Sequence, residues 1–250
     1  NNVEYIYGDF DYTKLLEKTI EKKHLVFHLL STTVPLTANN NPIFDIESNL
    51  VGTVKLLQII IKKNVKRVVY VSSGGAVYGN IKNKPVDENS LTQPIGSYGI
   101  VKNAIESYVE LFGQRHNLST LIVRPSNVFG YRQNYHKNQG LIGKYIYASL
   151  SQSTFKLWGD GSEVRDYIFI DDLISFLLLE SFTKETGVFN VGSGIGNSTN
   201  DILSILSKIV EHKPNINNIR KINQSVNKII LNISKAERIF NWQPQISIEN

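Results

Sequence analysis

The feature that most restricts this chain is an alternation. Short unbroken apolar runs are separated by longer stretches of helical period. Val3 to Tyr7, Leu25 to Leu30, Arg67 to Val71 and Thr120 to Val123 are apolar in series, the pattern of strands covered on both faces. Between them, Thr13 to Lys23, Ile46 to Lys63 and Ser97 to Gln114 read as helices. In the third, Tyr98, Val101, Ile105, Tyr108, Val109 and Phe112 recur at three- and four-residue spacing along one stripe. Strand then helix, repeated, predicts an α/β fold with a parallel sheet and helices on both faces. After residue 130 the rhythm loosens. Leu141 to Leu150, Asp172 to Phe182 and Asn200 to Val210 keep a helical period, while Phe155 to Trp158, Tyr167 to Ile170 and Val188 to Val191 read as short strands. These late segments predict a smaller second lobe.

Composition excludes more than it assigns. A chain of 250 residues with 41 % hydrophobic and 20 % charged residues can bury a core and is not a disordered polymer. The net charge of +5 is scattered in doublets such as Lys22-Lys23, Lys62-Lys63 and Lys66-Arg67, so no nucleic-acid partner is expected. With no cysteine there is no disulfide framework, thiolate nucleophile or Cys-based metal site, which fits the cytoplasm. His24 and His28 flank a strand-like run without an evident third ligand, and no metal site is expected there. The opening NNVEYIYGDFDY lacks the parts of a signal peptide, and the apolar run Ile174 to Leu179 is too short to span a bilayer. No membrane partner is expected. Because the chain has no methionine, it does not open at an initiator, and a truncated front end is expected.

Tyr98 and Lys102 lie one turn apart on one face at the start of the third helix. A phenol titrates at about 10 and is a poor base at neutral pH, but a neighbouring ammonium favours the phenolate. The pair suits removal of a hydroxyl proton while hydride leaves the same carbon. Chance supplies roughly one such spacing in a chain of this composition, and Tyr78 with Lys82 is a second copy in a Gly79-Asn80 turn. Context separates them: Ser72-Ser73-Gly74-Gly75-Ala76-Val77-Tyr78-Gly79 follows the apolar run ending at Val71. Ligands in parallel-sheet folds sit just beyond such strand ends.

VVYVSSGGAVYG, then PIGSYGIVKNAIESY, RPSNVFG and WGDGSEVRDYIFIDDL, in that order, resemble the extended short-chain dehydrogenase/reductase family. Within it the nucleotide-sugar epimerase/dehydratase group is most similar, the UDP-glucose 4-epimerase type above all. The resemblance runs from Gly8-Asp9 to Asn241-Trp242-Gln243-Pro244. It implies a Rossmann-type doubly wound sheet with an NAD-binding part over 1–130 and a substrate lobe over 131–250, of which 160–195 returns to the first part. It implies NAD as cofactor, held by Asp9 and Phe10 at the adenine, Leu29, Leu30 and Ser31 along ribose and phosphates, and Asn49 near the nicotinamide. Tyr98 is implied as base and Lys102 as its partner on the nicotinamide ribose. Asn127, Trp158 and Arg165 are implied at the UDP part of the substrate. The implied reaction is epimerisation at C4 of a UDP-hexose or UDP-N-acetylhexosamine through a 4-keto sugar, in nucleotide-sugar metabolism that feeds polysaccharide biosynthesis. A homodimer through the helices Ile46 to Lys63 and Ser97 to Gln114 is also implied.

Plainer roles compete with three of these residues. Asp9 could cap the helix near Tyr12, Trp158 could pack in a core, and Arg165 could pair with Asp166 or Asp172.

Three departures accompany the likeness. No G-x-x-G-x-x-G occurs, and Gly192-Ser193-Gly194-Ile195-Gly196 falls too late to serve as one. The first βαβ segment is therefore expected to precede Asn1, with Val3 to Tyr7 as the third strand and NAD bound poorly by these residues alone. Gly74 stands where the resemblance places a Ser or Thr, so Ser73 can be the catalytic hydroxyl only if the glycines re-aim it. Gly74-Gly75-Ala76 also lacks the Asp and Glu a dehydratase would use. Finally, Arg220 or Lys221 offers a cation where an Arg-x-x-Asp pair is implied, but no acid follows. A different NAD-dependent nucleotide-sugar enzyme (a dehydratase or reductase) or a non-catalytic nucleotide-binding member of the fold are the alternatives.

Overall fold

The computed structural model describes residues 3–80, 85–134, 140–181, 183–220 and 226–249. Its main sheet is parallel throughout, in the order β1 (Leu25–His28), β2 (Arg67–Val71), β3 (Ser119–Pro125), β7 (Gly187–Val191). Alternation along β2 and β3 sends Tyr70 and Ile122 to one face and Val69, Leu121 and Val123 to the other. On the first face they meet Leu57 of α4 (Gly52–Lys62) and Val101, Ile105 and Val109 of α6 (Ser97–His116). On the second they meet Leu173, Phe176 and Leu177 of α8 (Ile170–Ser181) and Ala236 of α10 (Ser234–Phe240). The result is the expected helix–sheet–helix sandwich. A crossover helix is what lets each strand pair in parallel with the next.

One expected strand does not form: among the described residues Val3 to Tyr7 pair with no strand, and Val3, Tyr5 and Tyr7 are exposed. An isolated strand has no ladder to satisfy its amides, so it gains nothing from strand geometry unless a neighbour lies beside it. Among the described residues β1 pairs only with β2, and its other edge faces no strand. Downstream, α1 (Thr13–Ile20) lies against α4 through Ile20 and Leu16.

The connection from β1 to α4 carries the detail that matters later. After α2 (Pro35–Asn40), the helix α3 (Pro42–Asp45) runs through a widened π-helical turn, Ile46–Val51, into α4. Such turns re-aim side chains, and here Asn49 points inward and is buried. Behind it, His28 at the end of β1 is buried between Phe10, stacked at 5.7 Å, and Tyr70 at 5.4 Å. Thr53 donates its hydroxyl to the Asn49 carbonyl (2.6 Å), so its oxygen accepts from His28 Nε2 at 2.8 Å.

The second half builds its own core. Ile142 and Tyr145 of α7 (Leu141–Leu150), Phe155 and Leu157 of β5 (Phe155–Trp158), Tyr167 of β6 (Val164–Phe169) and Ile202, Leu203 and Leu206 of α9 (Thr199–Ile209) pack together. Here β6 lies between β4 (Asn127–Phe129) and β10 (Lys228–Ile229) in parallel, with β8 (Gly196–Ser198) antiparallel to it. β5 pairs with β9 (Ile216–Ile219).

A buried polar network links α6 to the sheet. Arg124 of β3 donates from Nε and Nη2 to the Glu106 carboxylate at 2.6–3.1 Å and from Nη1 to the Tyr78 hydroxyl at 2.8 Å. Tyr78 donates in turn to Asn190 of β7. This second Tyr-x-x-x-Lys copy is therefore a core element on the tyrosine side, and Lys82 lies outside the described residues.

Burial pushes His28 down to about 4, with the Lys102 charge adding to it. A depressed histidine contributes its stability in full above the unfolded value near 6.5, and the contribution is lost as pH falls toward the folded one. Between pH 7 and 4.5 the unfolding free energy should therefore fall more for the wild type than for His28→Gln, by about 2–3 kcal/mol. Parallel urea titrations of the two proteins over that range check this; equal slopes would refute it.

Candidate active site

Past the end of β2 the chain turns at Ser73 into one short helical turn, α5 (Gly74–Val77). The first turn of α6 is pressed against it. A Cβ on Gly99 would come within 2.5 Å of the Ala76 carbonyl oxygen, so only glycine permits that approach. α6 has no capping side chain of its own. Instead Asn39 of α2 accepts from the Ser97 amide at 2.8 Å, and Asp45 of α3 accepts from the Ser97 hydroxyl at 2.8 Å. These contacts supply partners for helix-end donors that would otherwise be orphaned.

Held this way, Tyr98 is half-buried overall, with Ser73 and Ser31 near the phenol. Ser73, the residue ahead of α5, keeps extended dihedrals, φ −155° and ψ 108°. Lys102 is buried one turn further on. Its Nζ donates to the Val71 carbonyl at 3.1 Å and sits 5.8 Å from the Tyr98 ring centroid and 5.0 Å from that of Tyr70. Burial pushes Tyr98 up to about 12, with Asp45 adding to the rise and the two serines opposing it. Burial brings Lys102 down to about 8, against the pull of Glu106 and Asp45. Without ligand, then, the site holds a protonated phenol beside an ammonium close to losing its charge.

Two cavities flank this group. One, of about 370 Å³, is lined by Ser72, Ser73, Tyr98, Ser126, Asn127 and Tyr167 among others. The second, of about 260 Å³, brings Ser73, Tyr98 and Asn127 together with Asn39, Gly75 and Arg165. Ser72 and Ser126 are buried, and their hydroxyls have no hydrogen-bond partner. Unpaired buried hydroxyls are costly and mark where a polar ligand fits. Arg165 donates to the Val226 and Val164 carbonyls at 2.5 and 3.0 Å and pairs with Glu163 at 3.3 Å, not with Asp166 or Asp172.

The remaining expected residues divide. Asn49 accepts from the Thr32 amide and donates to Asp45 and the Thr33 hydroxyl, which steadies the turn after β1. Leu29 and Leu30 are exposed beside that turn. Asp9 lies apart from Tyr98, exposed, accepting from the Asp11 amide ahead of α1, and Phe10 packs against His28. Trp158 is half exposed at the end of β5, outside both cavities, and is no core residue. Lys221 lies outside the described residues.

Sequence reasoning missed Asp45, Asn39 and Asp166. Asp45 had a signal in its four-residue spacing from Asn49. Asp166 explains the late Gly192-Ser193-Gly194: its carboxylate accepts from the Ser193 and Gly194 amides at 2.8 and 3.1 Å, and a Cβ on Gly192 would lie 2.6 Å from it. That glycine segment wraps a carboxylate and leaves no room for a phosphate.

Residues 1–192 match the NAD dependent epimerase/dehydratase family. The chain is 31 % identical over 248 residues to a UDP-glucose 4-epimerase of Mycolicibacterium smegmatis, spanning 96 % of this chain and 76 % of that one. Its fold superposes with a TM-score of 0.93 on the UDP-glucose 4-epimerase of Thermotoga maritima with UDP-glucose, at 30 % identity, over 99 % of this chain and 81 % of the other. With a UDP-N-acetylglucosamine 4-epimerase of Methanobrevibacter ruminantium in complex with UDP-N-acetylmuramic acid the score is 0.89 at 26 % identity, over 96 % and 77 %. The chain belongs to the NAD-dependent epimerase/dehydratase family, and its sandwich is the Rossmann-type fold of that family. No helix among the described residues is long and apolar enough to cross a membrane.

Gly99→Ala should lower stability by about 1–3 kcal/mol, as overpacking against fixed backbone does, and loosen α6 from α5. Thermal unfolding checks it; an unchanged midpoint would mean the two turns are not in forced contact.

Proposed function

We propose that this protein epimerises a UDP-sugar at C4, with NAD as cofactor and Tyr98 as the group that takes and returns the O4 proton. The observation that carries the reading is the convergence of Ser73, Tyr98 and Asn127 on two cavities at the end of the parallel strands, with Lys102 buried one turn beyond Tyr98. UDP-glucose 4-epimerases of similar sequence and fold support the substrate class.

The nicotinamide end of NAD fits the residues present: Ser72 and Ser126 offer unpaired hydroxyls, and Tyr98 borders the same space with Lys102 buried behind it. Ser31 and the turn it belongs to would run beside the ribose and phosphates, with Asp9 and Phe10 toward the adenine. When bound, NAD⁺ supplies the hydride acceptor and a positive charge near the phenol.

Tyr98 accepts the O4 proton as hydride leaves C4, so the sugar becomes a 4-ketone. Ser73 donates to the same oxygen. After the ketone turns over, hydride returns to its other face and Tyr98 gives the proton back to O4, so atoms and electrons balance over the cycle. A phenol held near 12 is a weak base donor of its own accord. The ammonium of Lys102 supports its ionised form across the ring, and the nearby Ser73 and Ser31 also favour ionisation. In the second cavity Arg165 offers a planar fork suited to diphosphate oxygens, with Asn127 beside it. The run Gly74-Gly75-Ala76 has no ionisable group to carry out a dehydration.

The experiment is formation of the C4 epimer from UDP-glucose at saturating NAD⁺, compared with Tyr98→Phe. The expected loss in kcat is about 10²–10⁴, the range for a positioned proton-transfer group. Full activity in Tyr98→Phe would sink the assignment. Because none of the 250 residues forms a G-x-x-G-x-x-G loop, NAD⁺ affinity measured by calorimetry on these residues should be weak.

A homodimer goes with this reading. Ile100, Tyr108 and Leu111 form an exposed apolar stripe on α6, next to exposed Ile46 and Val51 ahead of α4. Ile100→Glu with Tyr108→Glu should give a monomer by light scattering. A wild-type protein already monomeric would refute the interface.

A further inference from the structure

Asp45 takes no part in the scheme above, yet it is the most enclosed charge beside Tyr98. Its side chain is fully buried. Three donors reach it: the Thr33 hydroxyl at 2.7 Å and Asn49 Nδ2 at 2.9 Å on Oδ1, and the Ser97 hydroxyl at 2.8 Å on Oδ2. Among the described residues it has no ion pair. A buried carboxylate without a counter-ion is expensive, and a neutral amide could fill the same space. The charge therefore calls for a use.

The geometry shows where that charge acts. Ser97 immediately precedes Tyr98, and Thr33 accepts at its carbonyl from Ser31 at 3.1 Å. Ser31 lies near the phenol. Both the turn that carries Tyr98 and the turn that carries Ser31 therefore hang on one carboxylate.

We infer that Asp45 is a positioning residue for Tyr98, tethering its helix turn to the turn after β1. This rests on Tyr98 as the proton-transfer group. The other charged and titratable groups facing the pair are Glu106 from α6, Tyr70 from β2, His28 from β1, and Arg165 and Tyr167 from β6. Asp45 raises Tyr98 and Lys102 together. It thus favours the charged ammonium while opposing ionisation of the phenol, so removing its charge should make the phenolate easier to form.

Asp45→Asn keeps the shape and removes the charge. Phenolate absorbance of the unliganded 250-residue protein, taken as the difference between each background and the same background with Tyr98→Phe, reads Tyr98 alone. In Asp45→Asn it should titrate about one pH unit lower, and the pH–kcat profile should move down with it. Ser97→Ala cuts a tether but leaves the charge: it should leave the Tyr98 titration in place and lower kcat several-fold, with KM little changed. An Asp45→Asn protein that melts normally with an unshifted Tyr98 titration would overturn the inference. So would lowered stability with no shift, which would make the carboxylate merely structural. If Asp45→Asn does not fold, Ser97→Ala with wild-type kcat overturns it instead. Full activity in Tyr98→Phe strikes at the proposed reaction, whereas the titration is measured without turnover, so the two failures are distinguishable.

Discussion

The ion pair between Arg124 and Glu106 joins the helix that carries the chemistry to the strand beside it. Both side chains are almost wholly enclosed, and three contacts of 2.6–3.1 Å lie between them. Buried charges are tolerated only when each lone pair and proton is matched. Tyr78 and Asn190 complete the matching, with Asn190 donating to the Val86 carbonyl. α6 is therefore locked in rotation and height relative to β3, one turn beyond Lys102 and two beyond Tyr98. A slip of one residue would break the pair and carry both site residues away from the cavity.

Everything at the site is positioned from outside itself. The first turn of α6 has no cap of its own and borrows Asn39 and Asp45 from the α2–α3 segment. It closes on α5 because Gly99 has no Cβ. In the second half, Asp166 of β6 gathers the Ser193, Gly194 and Leu231 amides, so β6, the turn after β7 and the approach to α10 share one buried carboxylate. Arg165 next to it reaches the second cavity from a strand fixed in this way. Two buried acids, one on each side of the cleft, thus hold the two groups of residues that face each other across it.

The elements were legible where the apolar pattern alone decides them. Arg67–Val71, Leu141–Leu150 and Phe155–Trp158 fall where the sequence places them, because burial on both faces or on one stripe leaves a periodic apolar pattern. Val3 to Tyr7 has the same pattern and no strand, since pairing needs a partner and composition does not record one. Of the site, Tyr98, Lys102, Asn127 and Arg165 were readable through ordered motifs; the structure brings Tyr98, Asn127 and Arg165 to adjoining cavities and Lys102 beside the Tyr98 ring. Trp158 shared a motif with Arg165 but stands apart and half exposed.

By itself the sequence determined the α/β alternation, the family and the types of residue available, because periodicity and motif order are properties of the chain. Only tertiary structure decided what those residues do to one another. That Ser73 and Tyr98 line the same cavities depends on α6 packing against α5. That Gly192-Ser193-Gly194 encloses Asp166 depends on a strand about thirty residues earlier in the chain. The state of Tyr98 depends on burial and on an acid at the far end of another helix. Local pattern sets which elements form, whereas desolvation and charge act through space and exist only once the chain has packed.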